Sequence, residues 1–197
     1  MKQGTTLAMA VAILAGTGMA ASAASINGTL SSVSGSGPYV WTYDAVLNGQ
    51  SRIESGDYFF VADFEGYVVG SVFSPADWTG TVQNVSSCPT FQNCSSDLAT
   101  VSNLLFTYGG ATINNAIPQA SVSLGQFGAQ SIYDDEMVGF WSAQDTNDGL
   151  GAVNGTKQGN SQQIPVPVAA ASVPEAGTLF MLGLGLIGAG LTVRRRS

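Results

Sequence analysis

The chain has 197 residues, no histidine, and six basic against thirteen acidic residues, for a formal net charge of −7. Without histidine, Ser-His and Cys-His catalysis and histidine-ligated metals are excluded, and no glycine loop with its lysine offers a phosphate cradle. Between residues 25 and 172 only Arg52 and Lys157 are basic, against twelve acids. That balance argues against nucleic acid and an anionic membrane surface as partners, because phosphates need basic contacts.

The chain opens as a targeting segment. Lys2 is followed by an apolar run from Leu7 to Ala15, and Ala21-Ser22-Ala23 fits the small-residue cleavage pattern. The run is short of the roughly 20 residues a membrane span needs. Residues 1–24 therefore read as a signal peptide, cut by signal peptidase after Ala23 or Ala24, and stand outside the fold.

The exported part, residues 25–160, reads as β. Trp41, Tyr43, Ala45 and Leu47 fall on one strand face, with Thr42 and Asp44 on the other. Tyr58 to Val61 is aromatic and β-branched. Leu104, Phe106 and Tyr108 alternate, as do Ala120 to Leu124 and Met137 to Ala143. Alternation broken by Gly, Asn and Asp turns, with no helical period, predicts an all-β domain. The expected architecture is an antiparallel β-sandwich, jelly-roll-like. Ser31 to Gly37 and residues 155–171 read as flexible stretches, the second containing a linker over 161–172.

Cys88 and Cys94 are the two cysteines. In an exported chain they are expected to pair and close a small loop. With no histidine beside them, a structural zinc site is not expected.

The remaining chemistry is that of carboxylates and aromatics. Asp134, Asp135 and Glu136 form one weak calcium candidate, and Asp145, Asn147 and Asp148 another, since calcium takes several hard oxygens. Gly149 and Thr156 stand where an EF-hand needs a ligand, so that motif is rejected. Asp57, Asp63 and Glu65 could serve a glycosidase only if two of them faced each other across a cleft. Among Trp41, Trp78, Tyr133 and Trp141, the indoles of Trp78 and Trp141 are the weak candidates for stacking on sugar, although such rings more often fill a core. No regular threonine rows suggest an ice-binding face. No catalytic residue and no cofactor other than a weakly supported calcium is expected, and the chain reads as no enzyme.

The C-terminal segment is more specific. Thr178 to Val193 is sixteen residues without a charge, and Arg194 to Arg196 follow. As a helix it rises about 24 Å, against a hydrocarbon core of about 30 Å. The arginines hold its end on the cytoplasmic side. Ser172-Val173-Pro174-Glu175 fits a capping box at the start of that helix.

The order Val173-Pro174-Glu175, glycine-rich apolar run and Arg194-Arg195-Arg196 resembles the PEP-CTERM tail of certain Gram-negative bacteria. Ala176 stands where the commonest form has a second proline. Segments around Ser55 to Phe59, Asp63 to Gly66, Trp78 and Asn103 to Gly109 resemble stretches in other proteins with this tail. The resemblance implies a sorting signal over 173–197, with a transmembrane helix at 178–193. An exosortase would cut near Pro174-Glu175 after transient anchoring in the inner membrane. The protein would then pass to the cell surface or extracellular matrix, in a structural or interaction role. The alternative is a carbohydrate-binding module of the extracellular polysaccharide.

Overall fold

The structure is a computed structural model that describes residues 26–84, 98–117, 120–149 and 154–170. Its strands are β1 (Ile26–Ser34), β2 (Tyr39–Asn48), β3 (Ser51–Ile53), β4 (Tyr58–Ala62) and β5 (Trp78–Gln83). They continue with β6 (Asn103–Tyr108), β7 (Ile113–Asn115), β8 (Ser121–Ser131), β9 (Asp135–Asn147) and β10 (Lys157–Val168). There is no helix among the described residues, and every strand pairing is antiparallel. The all-β expectation is therefore met.

One sheet has three strands in the order β1-β2-β8. The other has seven, with β5-β6-β4-β9-β3-β7 as its path and β10 paired to β9. The two sheets share a core because the alternation on their strands points to one interior. In β2, Trp41, Tyr43, Ala45 and Leu47 are all fully buried, as their spacing predicted. Phe59 of β4 lies near the centre. It stacks on Trp141 with ring centres 4.2 Å apart and meets Phe127 edge-on at 4.8 Å. Phe106 and Trp78 tilt against it at 5.0 and 5.3 Å. Aromatic pairs in such offset geometry add to the area they bury.

Two glycines are fixed by close approach. A Cβ on Gly28 would lie 2.4 Å from the Trp141 ring, and one on Gly128 would lie 1.9 Å from the Trp41 carbonyl oxygen. At these points the backbone of the smaller sheet takes up space that a side chain would need.

The two stretches read as flexible are largely sheet. Ser31 to Ser34 belong to β1; Ser32 to Ser34 pair with β2, and Ser31 is the extra residue at an irregularity between Leu30 and Ser32. Lys157 to Val168, including the first eight residues of the expected linker, pair with β9 in unbroken register. Ile164 and Val166 are buried two positions apart, so this strand has an apolar face of its own. Pro165 and Pro167 are also two apart. Their missing N–H groups fall on one edge, which an outer strand tolerates. Composition pointed to a tether, but the period-2 pattern decided the outcome.

Side chains close the seam between β10 and β1. Asn160 Nδ2 donates to Asn27 Oδ1 at 2.6 Å, and Gln162 Nε2 donates to the Gly28 carbonyl. From the facing sheet, the Tyr43 hydroxyl donates to the Pro165 carbonyl at 3.1 Å.

Candidate functional site

The densest polar constellation arises from a broken strand. β3 and β4 pair with the same edge of β9, since β10 takes the other. Arg52 faces Thr146 and Tyr58 faces Gln144, so residues 53–57 stand opposite Asp145 alone. This is an enlarged bulge, a device that redirects side chains within a sheet. Its turn is held by Asp57. The Asp57 N–H donates to the Glu54 carbonyl at 2.9 Å, and the Glu54 N–H donates to Asp57 Oδ2 at 2.9 Å.

Both basic residues of the exported part gather here. Lys157 Nζ donates to Asp57 Oδ1 at 2.6 Å and to the Thr146 hydroxyl at 2.7 Å. The Thr146 hydroxyl donates to Asp57 Oδ2 at 3.1 Å. Arg52 pairs with Glu54 at 2.8 Å and with Asp148 at 3.5 Å. Burial opposes ionisation of Glu54. The hydrogen bonds and charges of Lys157 and Arg52 outweigh that, and hold its carboxyl below the usual range. Asp57 is fully buried, and its carboxylate accepts from a backbone N–H, a hydroxyl and an ammonium. A carboxylate held this way serves the fold, since its oxygens are turned inward to groups of the chain itself.

Asp145 is also fully buried beside this cluster. Burial pushes its carboxyl up to about 6, against hydrogen bonds from Ser51 and Gln158 and with a further push from Asp57. The native state thus prefers the protonated form. The stabilisation is complete below the ordinary value of 3.8 and is lost as pH rises through about 6. Asp145→Asn, which mimics the neutral form, should melt with the parent near pH 3.5 and above it at pH 8. A gap of up to roughly 3 kcal/mol follows from the shift. Thermal melts across that range decide it, and a variant less stable than the parent at pH 8 would overturn the assignment.

The other expected sites fare differently. Trp141 is fully buried and Trp78 is 7% exposed, so neither indole offers a face to a sugar ring. Trp141 Nε1 donates to the Ile26 carbonyl at 3.1 Å inside the core. Both are corrected to core residues, and so is Trp41, which is also fully buried. The two calcium candidates lie at opposite ends of β9. Asp145, Asn147 and Asp148 bind elsewhere. Gln158 Nε2 donates to Asp145 Oδ2, Asn147 Oδ1 accepts from the Gly149 N–H, and Asp148 takes Arg52. At the other end, the charge of Asp134 and a hydrogen bond to it raise the pKa of Tyr39. No three acids converge on a metal position among the described residues. Of the glycosidase candidates, Asp57 is closed in the cluster. Asp63 Oδ1 accepts from the Leu98 N–H at 2.9 Å, and Glu65 lies three residues past the end of β4. Sequence reasoning missed the Arg52-Glu54-Asp57-Lys157 cluster. The one available signal was that two lone bases in an acidic domain must find partners.

Cys88, Cys94, the signal peptide and the tail residues Val173, Pro174, Glu175 and Arg194 to Arg196 lie outside the described residues. The tail is placed by comparison. No curated protein and no solved structure matches the chain. Residues 172–196 match the family described as the PEP-CTERM protein-sorting motif. This is the kind of tail that exosortases recognise, so residues 172–196 carry a PEP-CTERM sorting motif, which implies export toward the cell envelope or surface.

Proposed function

We propose that this chain is a surface-sorted β-domain with a non-enzymatic, structural or interaction role in the extracellular matrix of a Gram-negative bacterium. The sorting motif at residues 172–196, directly behind the folded strands, carries the reading. The signal peptide over 1–24 starts export. The apolar segment at 178–193 holds the chain in the inner membrane with Arg194 to Arg196 inside. An exosortase then cuts near Val173-Pro174-Glu175. The acidic exterior keeps the released domain soluble, and the Arg52 and Lys157 charges are spent on internal pairs, which supports a role without catalysis.

The test is the C-terminus of the mature protein. Peptide mapping of surface or released material should find no Arg194 to Ser197. Pro174→Ala with Glu175→Ala should leave uncut precursor in the inner membrane. Mature protein that still carries the arginines would mean an ordinary single-pass anchor.

Cys88 and Cys94 complete the reading as a disulfide made after export. Such a small loop stabilises the fold by about 2 kcal/mol. Intact mass after alkylation without reductant should show no added label. Two labelled thiols would sink the pairing.

A further inference from the structure

β10 decides where the tail leaves the fold. Val168, its last residue, pairs with Asp135, and the next N–H, of Ala169, donates to Glu65 Oε2 at 2.8 Å. Val173 opens the sorting motif five residues beyond Val168. Five extended residues span at most about 18 Å. The end of the sandwich that carries Val168 therefore cannot stand clear of whatever reads the motif.

That end is built from the β8–β9 turn and the first residues of β9. It exposes three apolar side chains: Ile132 is 58%, Met137 38% and Val138 65% exposed. Asp134, Asp135 and Glu136 lie between them in the chain, and Glu65 stands at the exit. Arg52 and Lys157 are at the opposite end, about 36 Å along β10 at 3.3 Å per residue. Met137 and Val138 are neighbours in β9 and project to opposite faces of the sheet, so apolar side chains lie on both sides of this acidic end, whose like charge keeps it off an anionic bilayer surface. Charge complementarity instead favours an apolar protein surface rimmed by Lys or Arg.

We propose that this end of the domain docks on the outer face of the membrane enzyme that reads the motif, beside the site that binds Pro174-Glu175. The inference rests on the exosortase reading of the tail and adds a second contact to it. Held at the end of so short a tether, such a contact acts at high effective concentration and lengthens the time the motif spends at the enzyme. The domain is then part of what the enzyme recognises, and the motif alone is a poorer substrate.

The experiment follows the full chain in its own bacterium by pulse-chase, reading the conversion of precursor to the cut form. Two changes are made separately: Asp134→Lys with Asp135→Lys, and a Gly-Ser spacer of about 20 residues between Ala170 and Ala171. Each should lengthen the precursor's lifetime roughly tenfold, the first by charge reversal and the second by dilution of the contact. The spacer touches no residue of the sandwich, so it reports even where the lysines disturb folding. Cutting of both variants at the parent rate, or faster cutting with the spacer, overturns the docking. Pro174→Ala with Glu175→Ala separates the two ideas. If that variant is cut like the parent, it is the sorting reading that fails.

Discussion

Lys157→Met should destabilise the mature protein by about 3 kcal/mol, the low end of the cost of stripping a buried charge of its partner. Asp57 is fully buried and would keep only the Glu54 N–H at 2.9 Å and the Thr146 hydroxyl at 3.1 Å. The low end is chosen because the Lys157 side chain is 41% exposed, and water screens part of the attraction. Adding Asp57→Asn to Lys157→Met should restore roughly 1 to 2 kcal/mol, because the orphaned charge goes with it. Urea midpoints for the parent, the two single variants and the double variant give the coupling. A Lys157→Met protein within about 0.5 kcal/mol of the parent would show that the pair is ornamental. The outcome bears on the tail as well. Lys157 opens β10, so the pair clamps the start of the strand whose other end leads to the sorting motif.

Trp141→Ala is expected to have the larger effect, about 4 kcal/mol, by emptying the centre of the core. The indole stacks on Phe59 at 4.2 Å, its N–H satisfies the Ile26 carbonyl, and Gly28 has no side chain because the ring fills that space. Ring, hydrogen bond and glycine form one fitted unit, so relaxation around the hole is limited. Since a domain of this size keeps only about 5 to 15 kcal/mol of net stability, the variant should be recovered in low yield with a much reduced denaturant midpoint. Trp141→Phe should retain about half of the lost stability. A Trp141→Ala protein with the parent's denaturant midpoint would overturn the assignment of this ring to the centre of the core.

The sequence by itself determined the tail, because a sorting signal works as a linear string. Val173-Pro174-Glu175, the uncharged run and Arg194 to Arg196 are read in order, and no folding is needed to bring them together. It also determined the strand character of Trp41 to Leu47, Tyr58 to Val61, Leu104 to Tyr108 and Met137 to Ala143. Alternation in three of these segments, and the continuous aromatic and β-branched run of Tyr58 to Val61, which is buried on both faces, are local properties that each segment states alone. The pairing of strands far apart in the chain, β2 with β8 and β4 with β9, is set by packing, and local pattern carries no record of it.

Only the tertiary structure decided what the isolated charges and indoles do. Asp57 and Lys157 are 100 residues apart, and a bulge opposite Asp145 brings them to 2.6 Å, with Glu54 linking Lys157 to Arg52. Trp78 and Trp141 look alike as sugar platforms or core rings until the opposing sheet covers them. The stretch that composition marked as a linker became β10 because β9 offers twelve residues of matched edge and a place to bury Ile164 and Val166. The segment's own strand signal is confined to Ile164 and Val166, and its Gln-, Asn- and Pro-rich remainder becomes a strand because such an edge, built from residues elsewhere in the chain, satisfies its backbone.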